Sequence, residues 1–164
     1  MTARAIRSQD SWGSGVWQAS RGVDSECKKR YHNGVDLINE PGDHEIAFCD
    51  GEVTKIWYPY SQNPCNPSWS DEKKTKHRRK RALRYVQITD FQGVKVRLFY
   101  IAPSVVLHDR VKKGDPIGIA QDLTVIYPKD SKHKEAMTQH AHIECIIGDG
   151  FVEPIEYLNI ELEK

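Results

Sequence analysis

The sequence predicts an all-β domain, built as an antiparallel sandwich or a barrel-like sheet with long loops. Short segments alternate apolar and polar residues along much of the chain, which is the two-residue period of a half-buried strand. Gly, Pro, Asn and Asp interrupt these segments roughly every 8 to 15 residues. We find no amphipathic helical pattern longer than two turns. This combination is typical of sandwiches and barrels.

The totals indicate one soluble domain. A chain of 164 residues is long enough to bury a core without the help of disulfides. Charged residues make up 29% of the chain and no stretch approaches the roughly 20 apolar residues of a membrane span, so a membrane protein is excluded. We assign residues 1–9, which have no periodicity, to an N-terminal tail. Residues 10–164 then form a single domain, with a basic loop inserted at residues 59–84.

The N-terminal residues and the cysteines bear on the cellular compartment. No apolar run near the start could serve as a signal peptide, so we expect the chain to stay in the cytoplasm or to leave by an unusual route. Cys27, Cys49, Cys65 and Cys145 lie far apart and form no C-x-x-C pair. That spacing argues against a cysteine-based zinc site and leaves either two disulfides or none.

The first strand with chemical interest is predicted at residues 31–38, YHNGVDLI, where apolar and polar residues alternate. His32 and Asp36 are four residues apart, so an extended chain places both side chains on one face. An imidazole and a carboxylate that point the same way are suitable ligands for a metal ion.

Further strands follow along the chain. Asp50 and Gly51 form a pair typical of two-residue hairpin turns, and Gln92 and Gly93 separate another two strands. A closing segment at residues 149–158 packs down through its apolar side chains. The predicted strands are residues 45–58, as two strands of a hairpin, 84–90, 94–101, short pieces of 110–122, and 139–145.

The strand at residues 139–145, QHAHIEC, contains two histidines one residue apart. His140 and His142 share a face, because side chains two apart on a strand point the same way, and Glu144 is next in that row. Both imidazoles can bind a metal, or one can bind it while the other transfers protons. We interpret Glu144 as a solvated carboxylate or as a hydrogen-bond partner of a ligand.

Together these segments predict one zinc ion held by His32, Asp36 and His142. Three protein ligands with a fourth position open to water are the arrangement of a catalytic zinc site, where the metal lowers the pKa of water and polarises a carbonyl. His140 would stand beside that water, where it can act as an acid or base or stabilise an oxyanion.

A basic run at residues 73–84, KKTKHRRKRALR, contains eight Lys and Arg and no acid. Because the whole chain has a net charge of +1, the remainder carries −7. We predict a solvated, mobile loop that could bind an anionic polymer such as teichoic acid, lipopolysaccharide or nucleic acid, or dock on an acidic partner subunit. No aromatic residues are interleaved, which disfavours nucleic acid. The predicted polyanion-binding residues are Lys73, Lys74, Lys76, Arg78, Arg79, Lys80 and Arg81.

Several motifs, in this order, resemble the LytM and lysostaphin-type zinc peptidases, which cut peptide cross-links of the cell wall. They are HNGVD, a Pro-Gly turn, AFCDGEV, VKKGDPIG, HAH and EPIEYL, and they extend over most of residues 10–158. The resemblance implies the β fold of that family, with zinc bound by His32, Asp36 and His142 and with His140 as a catalytic residue. It also implies a peptidoglycan peptide as the substrate.

One position departs from the family. Its peptidases usually carry a further histidine in a Tyr-x-His segment, whereas the segment FYIAPS has Ala102 at that place and Tyr100 before it. Leukocyte cell-derived chemotaxin 2, a zinc-containing relative regarded as a signalling protein, has a similar segment, and VIYP at residues 125–128 also resembles that branch. Tyr100 is a candidate hydroxyl donor in place of the histidine, and His108 is a second candidate.

Two interpretations follow from these motifs. The first is a zinc peptidase of peptidoglycan that reaches the cell wall or periplasm in a phage particle, at lysis or through a special secretion system. The second is a weakly active or inactive zinc-binding module, either a chemotaxin-like signalling protein or a structural component of an assembly.

Overall fold

The fold consists mainly of short antiparallel strands. In the computed structural model, which describes residues 4–163, the helices are short and lie between strands or near the end of the chain. This confirms the predicted all-β fold. The strands are β1 (Ser20–Val23), β2 (Lys29–Tyr31), β3 (Val35–Ile38), β4 (His44–Ile46), β5 (Gly51–Trp57), β6 (Tyr85–Thr89), β7 (Lys95–Phe99), β8 (Ile101–Pro103), β9 (Arg110–Val111), β10 (Pro116–Ala120), β11 (His140–Ile147) and β12 (Gly150–Val152). The helices are α1 (Asp71–Lys80), α2 (Leu123–Ile126) and α3 (Pro154–Leu158).

The strands form one large and two small sheets. The large sheet has the order β12-β11-β7-β6-β5-β9, and β3 pairs with β11. A second sheet has the order β4-β10-β8, and β1 pairs with β2 alone. The hairpin predicted at residues 45–58 is therefore wrong, because β4 and β5 belong to different sheets. Between them Ala47 and Phe48 turn into the core, and the Ala47 amide donates to the Asp115 carbonyl oxygen at 2.9 Å.

The two faces of the large sheet carry different kinds of side chain. Alternate side chains of β6, β7 and β11 point into the main core, as the two-residue period requires. The opposite face of these strands presents aromatic and polar side chains, and the candidate site lies there. The core-facing side chains on these three strands are Val86, Ile88, Val96, Leu98, Ala141, Ile143 and Cys145.

The segment predicted as an N-terminal tail is packed against the domain from Arg4 onward. The Arg7 amide donates to the Asp36 carbonyl oxygen at 2.8 Å, and the Ile38 amide donates to the Ala5 carbonyl oxygen at 2.9 Å. These contacts are isolated backbone pairings beside β3, so they impose no alternation on the sequence. Residues 1–3 of the predicted tail lie outside the described residues.

The basic run forms α1, a helix of ten residues, in place of the predicted mobile loop. The Ser70 hydroxyl caps its first turn by accepting from the Lys73 amide, and Asp71 and Glu72 follow. Acidic residues at the start and basic residues at the end of a helix both favour its macrodipole. Every residue of α1 is exposed or half-buried, so the sequence contains no apolar stripe that would reveal the helix.

Two further findings concern the sequence predictions. Within residues 4–163, no helix is long and apolar enough to cross a membrane. All four cysteines lie in this range and are free thiols, so of the two alternatives, two disulfides or none, the structure has none.

Candidate metal centre and active site

Three side chains from distant parts of the chain converge on one point. His32 Nε2 lies 3.0 Å from His142 Nδ1 and 3.2 Å from Asp36 Oδ1, and the last two atoms are 2.9 Å apart. Zinc bonds of 2.0–2.1 Å in a tetrahedron separate ligand atoms by about 3.3 Å. The three atoms are therefore spaced to hold a single metal ion, and they are the three ligands that the sequence predicts.

The chain brings His32 to this point differently from the prediction. Residues 31–38 are not one strand, because β2 ends at Tyr31 and β3 begins at Val35. The backbone of His32 pairs instead with the segment before β1: its amide donates to Ala19 O at 2.8 Å, and its carbonyl accepts from the Gln18 amide at 3.0 Å. A turn then leads to Asp36, which faces His142 in the β3–β11 ladder.

Gly34 allows this turn to pass close to β11. A Cβ atom at residue 34 would overlap the Ile143 carbonyl oxygen and lie 2.7 Å from His142 Cε1. We expect Gly34→Ala to lower the free energy of unfolding by about 1–3 kcal/mol, as overpacking does, and to displace His142. Denaturant unfolding checks this. Gly150→Ala is a matched control, because its nearest contact would be 3.8 Å away. Equal effects of the two substitutions would contradict the prediction.

Each of the two histidines has a hydrogen-bond partner for the ring nitrogen that points away from the cluster. His32 Nδ1 donates to the Val16 carbonyl oxygen at 2.9 Å, which leaves the lone pair of Nε2 free. His142 Nε2 donates to Glu144 Oε1 at 3.3 Å, and His142 Nδ1 faces Asp36 Oδ1 at 2.9 Å. Of the two roles considered for Glu144, it therefore has that of a hydrogen-bond partner of a ligand. Burial alone would lower the pKa of His142, but its bonds to Asp36 and Glu144 raise it to about 9.

Asp36 is oriented by Arg7, a residue that the sequence places in the tail. Arg7 Nε and Nη2 donate to Asp36 Oδ2 at 3.1 and 2.8 Å, which leaves Oδ1 for the metal position. Both residues are buried, with exposed fractions of 3% and 2%. Burial alone would raise the pKa of Asp36, but hydrogen bonds with His142 and His32 hold it well below its usual range.

Removing this arginine is expected to weaken both the fold and the metal site. Arg7→Ala removes the closer of the two arginines that pair with the buried Asp36 carboxylate, and breaking a buried pair typically costs about 3–5 kcal/mol. Loss of a group that orients a ligand typically lowers metal affinity by about 10–100-fold. Denaturant unfolding and zinc competition measure the two effects. Arg4→Ala is the control, because Arg4 pairs with Glu45 at 2.8 Å, away from the three ligands. Equal zinc affinity in both variants would contradict this role of Arg7.

His140 stands next to the three ligands without joining them. Its Nδ1 donates to the Thr138 carbonyl oxygen at 2.6 Å, so the lone pair is on Nε2, which lies 3.7 Å from Asp36 Oδ1. Burial lowers the pKa of His140 below its ordinary value. The imidazole is thus neutral near pH 7 and can accept a proton at Nε2.

The structure distinguishes the two candidates for the role of the missing histidine. The Tyr100 ring lies edge-on to His140, with ring centroids 5.5 Å apart. Burial, followed by the nearby Tyr60, raises the pKa of Tyr100 well above its ordinary value, so its hydroxyl stays protonated. His108 is exposed and pairs with Glu52 at 2.7 Å, while Ala102 is exposed on β8 of the small sheet. Tyr100 is therefore the candidate that contacts the site.

A row of side chains crosses the large sheet from the metal position, on the face opposite the main core. Backbone pairing sets His142 opposite Phe99, Phe99 opposite Tyr85, and Tyr85 opposite Trp57. Directly opposite residues point to the same face of a sheet. Trp57 is 55% exposed and ends the row. The result is an aromatic floor that leads from the metal position across three strands.

The residues predicted to bind a polyanion lie together on one helix, and none of the three residues of the metal cluster is on that helix. All of them belong to α1 or to its C-terminal cap. Residues on α1 are Lys73, Lys74, Lys76, Arg78, Arg79 and Lys80, and Arg81 is the cap.

The chain is thus a β domain in which two histidines and one aspartate form a candidate metal site. Several solved structures share its fold. No protein-family model and no curated protein matches the sequence. The catalytic domain of lysostaphin, an antimicrobial peptidase from Staphylococcus simulans, is similar with a TM-score of 0.54 and 16% identity, over 90% of this chain and 89% of that one. LytU is similar with a TM-score of 0.56 and 17% identity, over 97% of this chain and 87% of that one.

A zinc-containing peptidase from Vibrio cholerae is also similar, with a TM-score of 0.55 and 18% identity over 92% of this chain. The match covers 37% of that protein, and a match to lysostaphin in solution covers 54% of its length. The chain therefore corresponds to one part of these longer proteins. These similarities show that it has the fold of the lysostaphin catalytic domain.

Proposed function

We propose that this chain is a zinc-dependent endopeptidase that hydrolyses peptide cross-links of peptidoglycan. The observation that supports this most strongly is the cluster of His32 Nε2, Asp36 Oδ1 and His142 Nδ1, with His140 Nε2 free beside it. The similar solved structures support it as well, because they include an antimicrobial peptidase and a zinc-containing peptidase.

The donor set fits zinc. Two imidazole nitrogens and one carboxylate oxygen suit a borderline metal such as zinc, whereas magnesium and calcium prefer sites built from oxygen atoms. Each donor residue is oriented by a hydrogen-bond partner: His32 by the Val16 carbonyl oxygen, His142 by Glu144, and Asp36 by Arg7. Three protein donors leave a position for water or substrate, as in catalytic zinc sites.

The neighbouring residues supply the remaining chemistry. A bound zinc ion would polarise the scissile carbonyl and lower the pKa of water. His140 Nε2 accepts a proton from the attacking water and later donates it to the leaving amine. Tyr100 holds the His140 ring through its edge contact and is the candidate hydroxyl donor to the developing oxyanion. The aromatic floor, which ends at Trp57, supports an extended peptide next to these groups.

The direct test is to incubate the zinc-loaded protein with purified peptidoglycan. We expect new amino groups to appear, to be prevented by a chelator, and to return when zinc is added back. If no amino groups are released at any pH from 6 to 9, the proposed peptidase activity is wrong.

Ala102 favours a second candidate function, because the usual histidine is absent from that position. In this alternative the chain is a noncatalytic zinc-binding module, which signals as chemotaxin 2 does or serves as a structural component of an assembly. Such a protein would bind zinc through the same three ligands and release no amino groups from peptidoglycan. Zinc analysis together with the hydrolysis assay distinguishes the two functions.

For the peptidase, we propose that it acts at the cell wall or periplasm as a component of a phage virion or at lysis. This rests on the proposed substrate, because peptidoglycan lies in the cell wall. Detection of the chain in purified phage particles by mass spectrometry would support the first route. Its detection in culture medium without lysis would contradict both the virion route and the lysis route.

A further inference from the structure

Two groups of basic residues lie on α1 and just after it, and the fold uses one of them. Three lysines on one side of the helix contact aromatic rings of the domain, in cation–π geometry. Lys76 also pairs with Asp130 at 3.4 Å. The contacts are Lys73 Nζ with Trp69 at 4.5 Å from the ring centroid, Lys76 Nζ with Trp12 at 5.6 Å, and Lys80 Nζ with Tyr60 at 5.2 Å and Tyr127 at 5.0 Å.

The second group consists of arginines that line a cleft beyond these lysines. Arg78 and Arg81 are three residues apart and so lie on one side of the helix end. With Arg84, Tyr58 and Gln62 they surround a cleft of about 460 Å³, which we call the arginine cleft. Its side chains are partly fixed in place. Arg81 Nε donates to Gln62 Oε1 at 3.4 Å, and Arg84 Nη2 donates to the Tyr58 hydroxyl at 3.2 Å.

The arginine cleft has positive charge that the rest of the described chain does not neutralise. Within residues 4–163, no carboxylate oxygen lies within 4.0 Å of a side-chain nitrogen of Arg78, Arg81 or Arg84, whereas Lys74 and Lys76 on the same helix have acidic partners. Three guanidinium groups around one space repel one another. An anion that entered the cleft would relieve this repulsion.

The lining also indicates what kind of anion fits. Guanidinium groups are planar donors that bind phosphate in a bidentate way, which a lysine cannot do. Tyr58 is the one aromatic residue among those lining the cleft, and the Arg84 guanidinium carbon lies 5.2 Å from the centroid of its ring. Arg84 therefore covers one face of the ring, which leaves less aromatic surface on which a nucleobase could stack.

We propose that the arginine cleft binds the phosphate groups of a polyol-phosphate polymer of the cell wall. The choice of a cell-wall polymer rests on the proposed function, whereas the binding of phosphate rests on the cleft alone. Arg84 immediately precedes Tyr85, and Tyr58 immediately follows Trp57, so the cleft adjoins the end of the aromatic floor. A polymer held there would keep the domain close to the peptides that it cuts.

Calorimetry at low salt, which measures how tightly poly(glycerol phosphate) binds to the full chain, tests this proposal. The variant Arg78→Gln/Arg81→Gln removes two charges from the cleft, and Lys73→Gln/Lys74→Gln removes two from the same helix outside it. We expect the affinity to fall about 10-fold or more in the first variant and less than about twofold in the second. Arg84→Lys, which keeps the charge but loses the planar fork, is expected to lower it about threefold or more.

Equal losses in the two double variants would overturn the proposal, because the effect would then be one of net charge. Tighter binding of an oligothymidylate with the same number of phosphates would show a nucleic-acid site instead. Equal binding of polyglutamate would rule out phosphate recognition, and an affinity that did not fall with rising salt would rule out an ionic contact. Thermal unfolding of each variant confirms that it is folded. If the chain binds the polymer but releases no amino groups from peptidoglycan, the peptidase proposal is contradicted and the proposal of phosphate binding in the arginine cleft is not.

Discussion

An Asp36→Ala variant is expected to bind zinc at least about 100-fold more weakly than the parent chain. A structural zinc site with four ligands binds with about 10–16 kcal/mol, so each ligand contributes about 2.5–4 kcal/mol, which is on the order of 100-fold to 1000-fold in affinity. Asp36 Oδ1 lies within 3.2 Å of both histidine ligand atoms and is the oxygen donor of the set. Competition with a chromophoric chelator measures the change.

Two further variants make this result interpretable. Asp36→Ala also leaves Arg7 without its buried partner, so part of its effect can come from a disturbed fold. His142→Ala removes a ligand and keeps the Arg7–Asp36 pair, and it should reduce affinity by a similar factor. Asp43→Ala, in a turn away from the ligands, should not. Parent-like zinc affinity in both ligand variants would show that the metal site is elsewhere.

A His140→Ala variant is expected to lose about 10²–10⁴-fold in kcat/KM on peptidoglycan and to keep its zinc. The loss is that of a general acid and base. Zinc is retained because His140 is not one of the three residues whose ligand atoms form the cluster. Amino-group release and zinc content, measured on the same preparation, separate the two roles.

The matched control for this variant is His108→Ala. His108 pairs with Glu52 on the surface, so its removal should leave kcat/KM within about twofold of the parent. If His108→Ala lost as much activity as His140→Ala, His108 would have to replace the missing histidine. If His140→Ala lost its zinc as well, His140 would be a ligand and not the acid and base.

The sequence predicted which side chains would converge because their spacing reflects local geometry. His140 and His142 lie on a real strand, β11, and their shared face follows from its two-residue period. His32 and Asp36 also converge as predicted, but the single strand assumed for them is interrupted by a turn. The three side chains lie together as predicted, whereas the path of the chain between His32 and Asp36 differs from the prediction.

Other parts of the site depend on long-range contacts that a single sequence does not encode. Arg7 is brought to Asp36 by one isolated backbone bridge, between Ile6 and Leu37, which leaves no pattern in residues 4–9. The aromatic floor depends on the register between β5, β6, β7 and β11, which local alternation does not define. Helix α1 has no apolar stripe, so its caps and charges are its only sequence signal.

The claim that His32, Asp36 and His142 form a zinc site is tested most directly by anomalous diffraction at the zinc edge. In crystals of the zinc-loaded chain we expect one anomalous peak about 2.0–2.2 Å from His32 Nε2, Asp36 Oδ1 and His142 Nδ1. His140 Nε2 should lie beyond bonding distance of that peak. A peak at any other group of residues, or no peak at these three atoms in zinc-loaded crystals, would contradict the account.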